Sequence, residues 1–258
     1  MKENTTLQTV RGLLDRLISV ERLSDNDEKE TAHNEAIKAI KELPRPRILA
    51  ILDEAVGKNK SRKLASVYIL SELTDVPEVI IRIKEMLTDP DSNTRSMLVQ
   101  TIEFAQLTGL ADYLSDIIEN DPDEFVRSRA IHAAGTLKAQ TSLPVLLRLA
   151  NSQAESGEQG DMRWHTLWAL QAYTDESCRQ ILSEAFMNPE ERQHKVIAAW
   201  GLGKLGDKEA IKYLIAMLEV PYSSLRAAQA LCEIYGWEFK HNLTRLNEIR
   251  QLTQEIKL

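Results

Sequence analysis

The chain has 258 residues, of which 43% are hydrophobic and 28% are charged, values that are ordinary for a globular protein and unlike those of a disordered chain. The formal net charge of -7 argues against a generic nucleic-acid binder, which carries a basic excess, although a local basic groove is still compatible with it. Aromatic residues make up only 5%, and residues that lose little freedom in a helix are common, so we expect a mainly helical protein.

The beginning of the chain, MKENTTLQTVRGLLDRL, is polar and lacks the continuous apolar segment of a signal peptide. No apolar run long enough to cross a membrane occurs elsewhere in the sequence. The two cysteines, Cys178 and Cys232, form no CxxC motif and no matched pair, which argues against a zinc site or a disulfide scaffold. We therefore expect a cytoplasmic protein in a reducing compartment, with no membrane partner.

In chain order, the first predicted element is an amphipathic helix from Thr5 to Leu23, which we interpret as a cap over residues 1–24. A repeat follows over residues 25–236, and the first helix of each unit contains a small or apolar anchor residue. The anchors are separated by 29 to 36 residues and are Ala36, Ser66, Leu98, Ala130, Thr166, Ala198 and Ala227. A last amphipathic stretch, from His241 to Leu258, is interpreted as a cap over residues 237–258. Periods of this length indicate a helical-repeat protein.

Each anchor begins a pattern that is typical of a buried helix face. The residues one and four positions after every anchor are apolar, and they share one face at about 100° per residue. The residue three positions after the anchor is mostly small, as expected where neighbouring helices approach closely. A short turn and a second apolar helix follow most anchors, as in PEVIIRIKEML from Pro77 and KEAIKYLIAML from Lys208. Each unit is therefore predicted to be a helical hairpin that buries its apolar faces by stacking on its neighbours.

The stretch AAWGLGKLGDKEAIKYLIAMLEV, from Ala198 to Val220, resembles the HEAT repeat of the phycobiliprotein-lyase (PBS-lyase) type. The resemblance extends loosely from Glu35 to Gly236. It implies an all-α fold, namely a right-handed α-solenoid (alpha-alpha superhelix) of about seven HEAT-like hairpins that forms a single domain over residues 1–258. It is weak evidence for function, because such repeats occur in scaffolds, immunity proteins, chaperone-like lyases and DNA glycosylases.

The residue two positions after each anchor is predicted to lie opposite the buried stripe, facing outward or grazing a neighbouring helix. Three of the seven residues in this column are aromatic, and adjacent repeats would place two tryptophans side by side. Such residues supply large, rigid contact areas in protein interfaces, whereas the alternative interpretation packs the tryptophans between stacked hairpins. The candidate partner-binding residues are Tyr68, His132, Trp168 and Trp200 from this column, together with Trp164.

Two DPD tripeptides, at Asp89 and Asp121, begin segments that repeat after 32 residues. Asp89, Asp91 and Asn93 alternate as at the start of a calcium loop, but the later ligands of such a loop are missing. Asp and Ser before a helix, with Pro in the first turn, are ordinary caps. We therefore predict helix capping and no metal.

Two polar segments depart from the repeat. The stretch from Asn151 to Met162 has no apolar period, and it is interpreted as a surface loop or, alternatively, as a loop that contacts a partner. The segment KNKSRK, residues 58–63, with Arg45 and Arg47 before it, is interpreted as a solvated turn, or alternatively as a contact for an acidic partner or phosphate.

No motif for catalysis is recognisable. The five histidines have no metal-ligand spacing and no following Glu, and neither a GxSxG motif nor a Gly-rich phosphate loop occurs. We therefore expect no cofactor, no metal and no enzymatic activity.

The leading hypothesis is a non-enzymatic module that grips one protein partner, with a bacterial toxin-immunity or adaptor protein as the narrower version. The first alternative is a chaperone-like bilin lyase or a phycobilisome-handling protein. The second is a HEAT-like DNA glycosylase, which needs a basic concave groove with Trp, Asp and Arg converging on DNA. Asp161, Arg163 and Trp164 are close in sequence, but the acidic net charge opposes this function and makes nucleic acid an improbable partner.

Overall fold

The computed structural model describes residues 26–44, 46–48, 77–151, 158–189, 194–239 and 243–256, together with single positions and short pieces between residues 12 and 75. Every regular element among these described residues is helical, which confirms the predicted all-α class. The chain divides into two compact units, Met1–Leu110 and Ala111–Leu258. The single domain predicted over residues 1–258 stays a prediction.

The N-terminal unit contains three described α-helices and a 3-10 turn. These are α1 (Asn26–Lys41), α2 (Pro77–Met86), α3 (Ser92–Phe104) and the turn Thr108–Leu110. The helices of the C-terminal unit are α4 (Asp112–Asn120), α5 (Glu124–Leu137), α6 (Leu143–Asn151), α7 (Glu158–Leu170), α8 (Glu176–Met187), α9 (Lys195–Lys204), α10 (Lys208–Met217), α11 (Ser224–Tyr235) and α12 (Leu243–Thr253), with a 3-10 turn at Gln140–Ser142 before α6.

The C-terminal unit is built from stacked two-helix hairpins, as predicted. The pairs are α5 with α6, α7 with α8, α9 with α10, and α11 with α12. The first helices pack side by side in the order α5, α7, α9, α11, and α7, α9 and α11 each also contact their own second helix. This is the layer arrangement of an α-solenoid, in which each hairpin covers the apolar face of the next.

The anchor column and the columns one and four positions later are buried wherever the structure describes them. Ala130, Thr166, Ala198 and Ala227 are fully buried anchors on the four first helices of the C-terminal unit. The apolar residues one and four positions later are buried as well, from Ile131 on α5 to Leu231 on α11. The helical period read from the sequence therefore identifies the core.

Close approach of the first helices requires small residues, as the sequence indicated. A Cβ atom built on Gly135 of α5 would lie only 2.8 Å from the backbone Cα of Ala169 on α7. The same two repeats are joined by Tyr173, whose buried hydroxyl lies 3.0 Å from the carbonyl oxygens of both Ala134 and Ala139. These contacts fix α7 against α5 and so help to position the functional residues of α7.

The DPD tripeptides are helix caps, as predicted. The Asp91 side chain accepts from the Thr94 backbone N–H at the start of α3, and the Asp123 side chain accepts from two N–H groups at the start of α5. In each cap, the arginine six residues after the first aspartate donates to that aspartate's carbonyl oxygen, Arg95 to Asp89 at 2.7 Å and Arg127 to Asp121 at 2.8 Å. The repeated Arg therefore closes the cap, a role that the sequence analysis did not assign.

The prediction of a loop from Asn151 to Met162 is wrong in part. Helix α6 includes Asn151, and α7 already begins at Glu158. Thr166 donates its hydroxyl to the Met162 carbonyl oxygen at 2.7 Å, and Met162 is itself buried. Met162 is the first residue of α7 whose burial the structure describes, and the residues before it in α7 are polar or glycine, so the sequence shows no apolar period there from which a helix could be predicted.

The C-terminal end of the chain is helical where the structure describes it, and its role as a cap over residues 237–258 stays a prediction. Helix α12 buries Leu246 and Ile249 and packs on α11. Arg250 of α12 donates to the Leu218 carbonyl oxygen at 2.6 Å. Most of the N-terminal capping segment and all of residues 58–63 lie outside the described residues, as do Arg45, Ser66, Tyr68 and His241.

Candidate functional site

A cleft lies on the first-helix layer of the C-terminal unit, where α7, α9 and α11 run side by side. Its volume is about 170 Å³. The side chains that line it are Trp164, Trp168, Val196, Ile197, Trp200, Arg226 and Gln229. We call this set the aromatic cleft.

Helical spacing brings these side chains together. Trp164 and Trp168 are four residues apart on α7, and Arg226 and Gln229 are three apart on α11, so each pair shares one helix face. Trp200 occupies on α9 the repeat position that Trp168 occupies on α7. Gln171, directly after α7, links this helix to α9, because its side chain donates to the Ile197 carbonyl oxygen at 3.1 Å.

Trp200 is buried, with 6% of its surface exposed, so the expectation that it faces outward is wrong. It packs between hairpins, as the alternative interpretation of the tryptophan column held. Its Nε1–H is covered and, within the part of the chain that the structure describes, has no hydrogen-bond acceptor. An indole nitrogen can only donate, and a buried donor without an acceptor is costly.

Arg226 forms one edge of the cleft and lies over an aromatic ring. Its guanidinium carbon is 5.2 Å from the centre of the Trp164 ring, a cation–π arrangement. Arg226 is exposed to solvent. Among the described residues, Trp164 is the side chain on which its guanidinium stacks. The cleft lining therefore carries one positive charge and, among the residues named above, no carboxylate.

A pair of histidines adjoins the cleft on the α5 side. His132 Nε2 lies 2.6 Å from His165 Nδ1, so one ring donates to the other. The His132 ring centre is 4.4 Å from that of Trp168, and the His165 ring packs edge-on against Trp164 at 5.1 Å. We call His132 and His165 the histidine pair, and it extends the aromatic surface from α7 to α5.

The pKa of His132 is lowered from 6.5 to about 4, first by burial, then by the neighbouring His165 and by Arg129. Each of these causes disfavours the imidazolium form. His132 is therefore neutral at physiological pH, where it can accept or donate one hydrogen bond but is a weak general base.

The chemistry available at this surface is recognition by aromatic contact and hydrogen-bond donation.

The thiol of Cys178 is buried on α8, and burial raises its pKa to about 11, which keeps it protonated and unreactive. Among the described residues, no group of three His, Cys, Asp or Glu side chains is arranged to hold a metal ion. No helix in the described ranges has the length and apolar character needed to span a membrane.

A second depression, of about 440 Å³, lies in the N-terminal unit. Its lining includes Val67, Met97, Gln100 and Phe104. Among its described lining residues, none is charged and none has an unpaired buried donor. The smaller aromatic cleft, where aromatic, cationic and hydrogen-bonding groups converge, is therefore the candidate functional site.

Four of the five predicted partner-binding residues come together at this surface. Trp164, Trp168 and Trp200 line the cleft, and His132 contacts Trp168. The fifth, Tyr68, lies outside the described residues. Their role in binding a partner stays a prediction.

Three further residues at this surface were not predicted as partner-binding residues from the sequence: Arg226, Gln229 and His165. Gln229 belongs to the same repeat column as Trp168 and Trp200, and that membership was the available signal. Arg226 directly precedes an anchor, in a column of mixed residue types that carried no signal. Of the three residues proposed for DNA chemistry, Trp164 lies under Arg226, and the side chain of Asp161 lies outside the described residues.

The stacked hairpins define a helical-repeat protein, and comparison with known families specifies the repeat. A family described as HEAT repeats matches residues 81–159, and the PBS lyase HEAT-like repeat matches residues 195–219. These segments are HEAT repeats, which confirms the resemblance seen in the sequence. No curated protein matches the chain. Repeats of this kind generally form scaffolds for protein interaction.

Proposed function

We propose that this protein is a non-enzymatic module that grips one protein partner, and that the aromatic cleft with the histidine pair is the contact surface. The observation that carries the proposal is the convergence of three of the chain's four tryptophans on one small cleft of the first-helix layer. Tryptophan and arginine are the residues most enriched among interface hot spots. Their concentration here, in a chain with few aromatic residues, favours a binding surface.

The size of the cleft favours a side chain over a free small molecule. Pockets for cofactors and drug-sized ligands measure roughly 300 to 1,000 Å³, whereas this cleft measures about 170 Å³. A bilin is larger than such a cleft, and nothing in its lining favours the lyase alternative. An anchor residue of a protein partner fits the volume, and the histidine pair extends the contact surface beyond the anchor.

The chemistry of the surface favours binding over catalysis. His132 has a pKa of about 4 and is a weak base at neutral pH. The described side chains of the cleft lining include no hydroxyl, thiol or carboxylate that could act as a nucleophile or acid. We therefore keep the non-enzymatic assignment as part of the proposal. A toxin-immunity or adaptor role is its narrower form and depends on the identity of the partner.

Affinity capture of the tagged chain from its native host, followed by mass spectrometry, tests the proposal. We expect one dominant, stoichiometric protein. The same capture with Trp168→Ala should lose that protein, because the part-exposed Trp168 ring contributes contact area. Trp168 is preferable to Trp200 for this test, since truncating the buried Trp200 would create a cavity and risk unfolding.

Trp237→Ala is the matched control. It removes the fourth tryptophan, which stacks on Tyr235 at 4.9 Å and is not part of the cleft. Circular dichroism of both variants checks that the helices persist. Equal capture by Trp168→Ala and Trp237→Ala would refute the cleft as the contact surface. Capture of nucleic acid or pigment in place of a protein would refute the protein-binding function.

A further inference from the structure

We infer that the aromatic cleft receives an acidic side chain, an aspartate or a glutamate, of the protein partner. The inference rests on the proposed function and specifies the chemistry of the residue that anchors the partner. Three observations carry it: the local charge of the cleft, the state of the Arg226 guanidinium, and the buried indole N–H of Trp200.

The cleft is locally positive in a chain whose net charge is -7. Arg226 is the charged member of its lining, and the remaining lining side chains are indole, aliphatic and carboxamide groups. Among the lining side chains that the structure describes, none is a carboxylate that could neutralise the guanidinium charge. A carboxylate of the partner supplies the negative charge that neutralises Arg226.

Arg226 is positioned to bind a carboxylate. Stacking on Trp164 at 5.2 Å restrains the guanidinium plane, so less side-chain freedom is lost when its N–H groups bind a ligand. The planar group presents paired donors that match the two oxygens of a carboxylate. Among the described residues, no carboxylate forms an ion pair with it.

The Trp200 indole adds a second donor. Its Nε1–H is shielded from solvent and has no acceptor among the described residues. Gln229 lines the same cleft as Trp200 and is exposed, so its flexible side chain is free to move when a ligand enters. An entering carboxylate then accepts from Trp200 with one oxygen while Arg226 binds the other, which removes the cost of an unpaired buried donor.

A cationic anchor fits the cleft poorly, even though tryptophan-lined cavities often bind ammonium groups. The face of Trp164 already carries Arg226, and a second cation there would be repelled. An ammonium group also has no acceptor to offer the Trp200 N–H.

The test is a titration of the full-length ¹⁵N-labelled chain, observed through its indole N–H nuclear magnetic resonance signals. Single Trp→Phe variants assign the four signals. The probe is the tripeptide Gly-Glu-Gly, acetylated and amidated at its ends, at millimolar concentration. Matched probes are Gly-Gln-Gly, Gly-Lys-Gly and free acetate.

We expect the Glu peptide to move the Trp200 signal downfield and saturably, while the Trp237 signal stays in place. The Gln and Lys peptides should leave Trp200 unmoved at the same concentration. Arg226→Gln should weaken the Glu peptide about tenfold, the usual effect of losing a charged hydrogen bond, and Arg226→Lys should restore part of the affinity. Trp200→Phe, which removes the donor but keeps most of the ring system, should weaken it as well.

A stronger response to the Lys peptide, or a Glu response unchanged by Arg226→Gln, would overturn the inference. An equal response to acetate and to the Glu peptide would overturn the assignment to a protein side chain. If the captured partner depends on Trp168 but binds Arg226→Gln normally, the acidic anchor fails and the protein-binding proposal stands. If the Glu peptide binds but no captured protein depends on Trp168, the protein-binding proposal fails instead.

Discussion

The depressed pKa of His132 makes the stability of the C-terminal unit sensitive to acid. The folded-state pKa is about 4, against 6.5 for the free side chain. Between these two values the unfolded chain binds a proton that the folded chain excludes, so the free energy of unfolding falls as the pH is lowered from 6.5 towards 4. Above pH 6.5 both states are neutral, and the penalty is absent.

The magnitude follows from the width of that pH window. Each pH unit inside it is worth about 1.4 kcal/mol, which gives an upper limit of about 3 kcal/mol. His132 is only part-buried, and solvent screening reduces the expected effect to roughly 2 kcal/mol. Because the rings of His132 and His165 share one hydrogen bond, the loss belongs to the pair rather than to one ring alone.

The perturbation that isolates this effect is His132→Gln, which keeps a polar group beside His165 but does not titrate. Urea unfolding is followed by tryptophan fluorescence, which reports on the C-terminal unit because all four tryptophans lie there. Between neutral pH and pH 4, the wild type should lose roughly 2 kcal/mol more stability than the variant. His33→Gln removes a histidine in the N-terminal unit and controls for composition.

Carboxylates that titrate over the same range cancel in the difference between wild type and variant. Parallel pH profiles for the wild type and His132→Gln would refute the reasoning. A profile for His33→Gln that departs from the wild type as much as that of His132→Gln would refute it too, since the effect would then not belong to the histidine pair.

Four further variants test the packing and capping of the helices around the cleft, and the stability of each is measured by chemical denaturation. Tyr173→Phe should cost about 1 kcal/mol, because one buried hydroxyl bond is lost while both carbonyl acceptors keep backbone partners; an unchanged midpoint would show that the bond contributes nothing. Gly135→Ala should cost about 2 kcal/mol despite the better helix propensity of alanine, since its Cβ meets backbone. Gly203→Ala should stay within about 1 kcal/mol of wild type, because its Cβ meets the movable end of Ile234; equal costs for the two glycine variants would contradict this. Asp123→Ala should cost about 1 kcal/mol through loss of the α5 cap, and a loss below the error of the measurement would rule the cap out as a stabilising feature.

Most of the core could be predicted from the sequence, because burial in a stacked helix depends on a period that the residues display directly. Ala130, Ile131 and Ala134 are an example, since the spacing alone places all three on one face. The aspartate caps were predictable for a similar reason, because they depend on a few local residues. Neither inference required knowledge of which helices are neighbours.

The site was predictable only in part, because its geometry depends on contacts between repeats. The helical period predicts which face of α9 carries Trp200, but it does not show which neighbouring helices cover that face. The burial of Trp200 depends on packing between hairpins, which the repeat position alone does not reveal. Arg226 reaches the cleft because α11 lies beside α9 and because its long side chain extends over Trp164. The start of α7 was missed because its first turn is polar, and an apolar period appears only from Met162 onward.

The central claim, that the aromatic cleft binds a protein partner, is tested most directly by isothermal titration of the co-purified partner against three forms of the full chain: wild type, Trp168→Ala and Trp237→Ala. The account predicts that Trp168→Ala raises the Kd by at least about tenfold, as expected for an interface hot spot, while Trp237→Ala leaves the Kd unchanged. Equal Kd values for all three forms, with helicity intact, would contradict it.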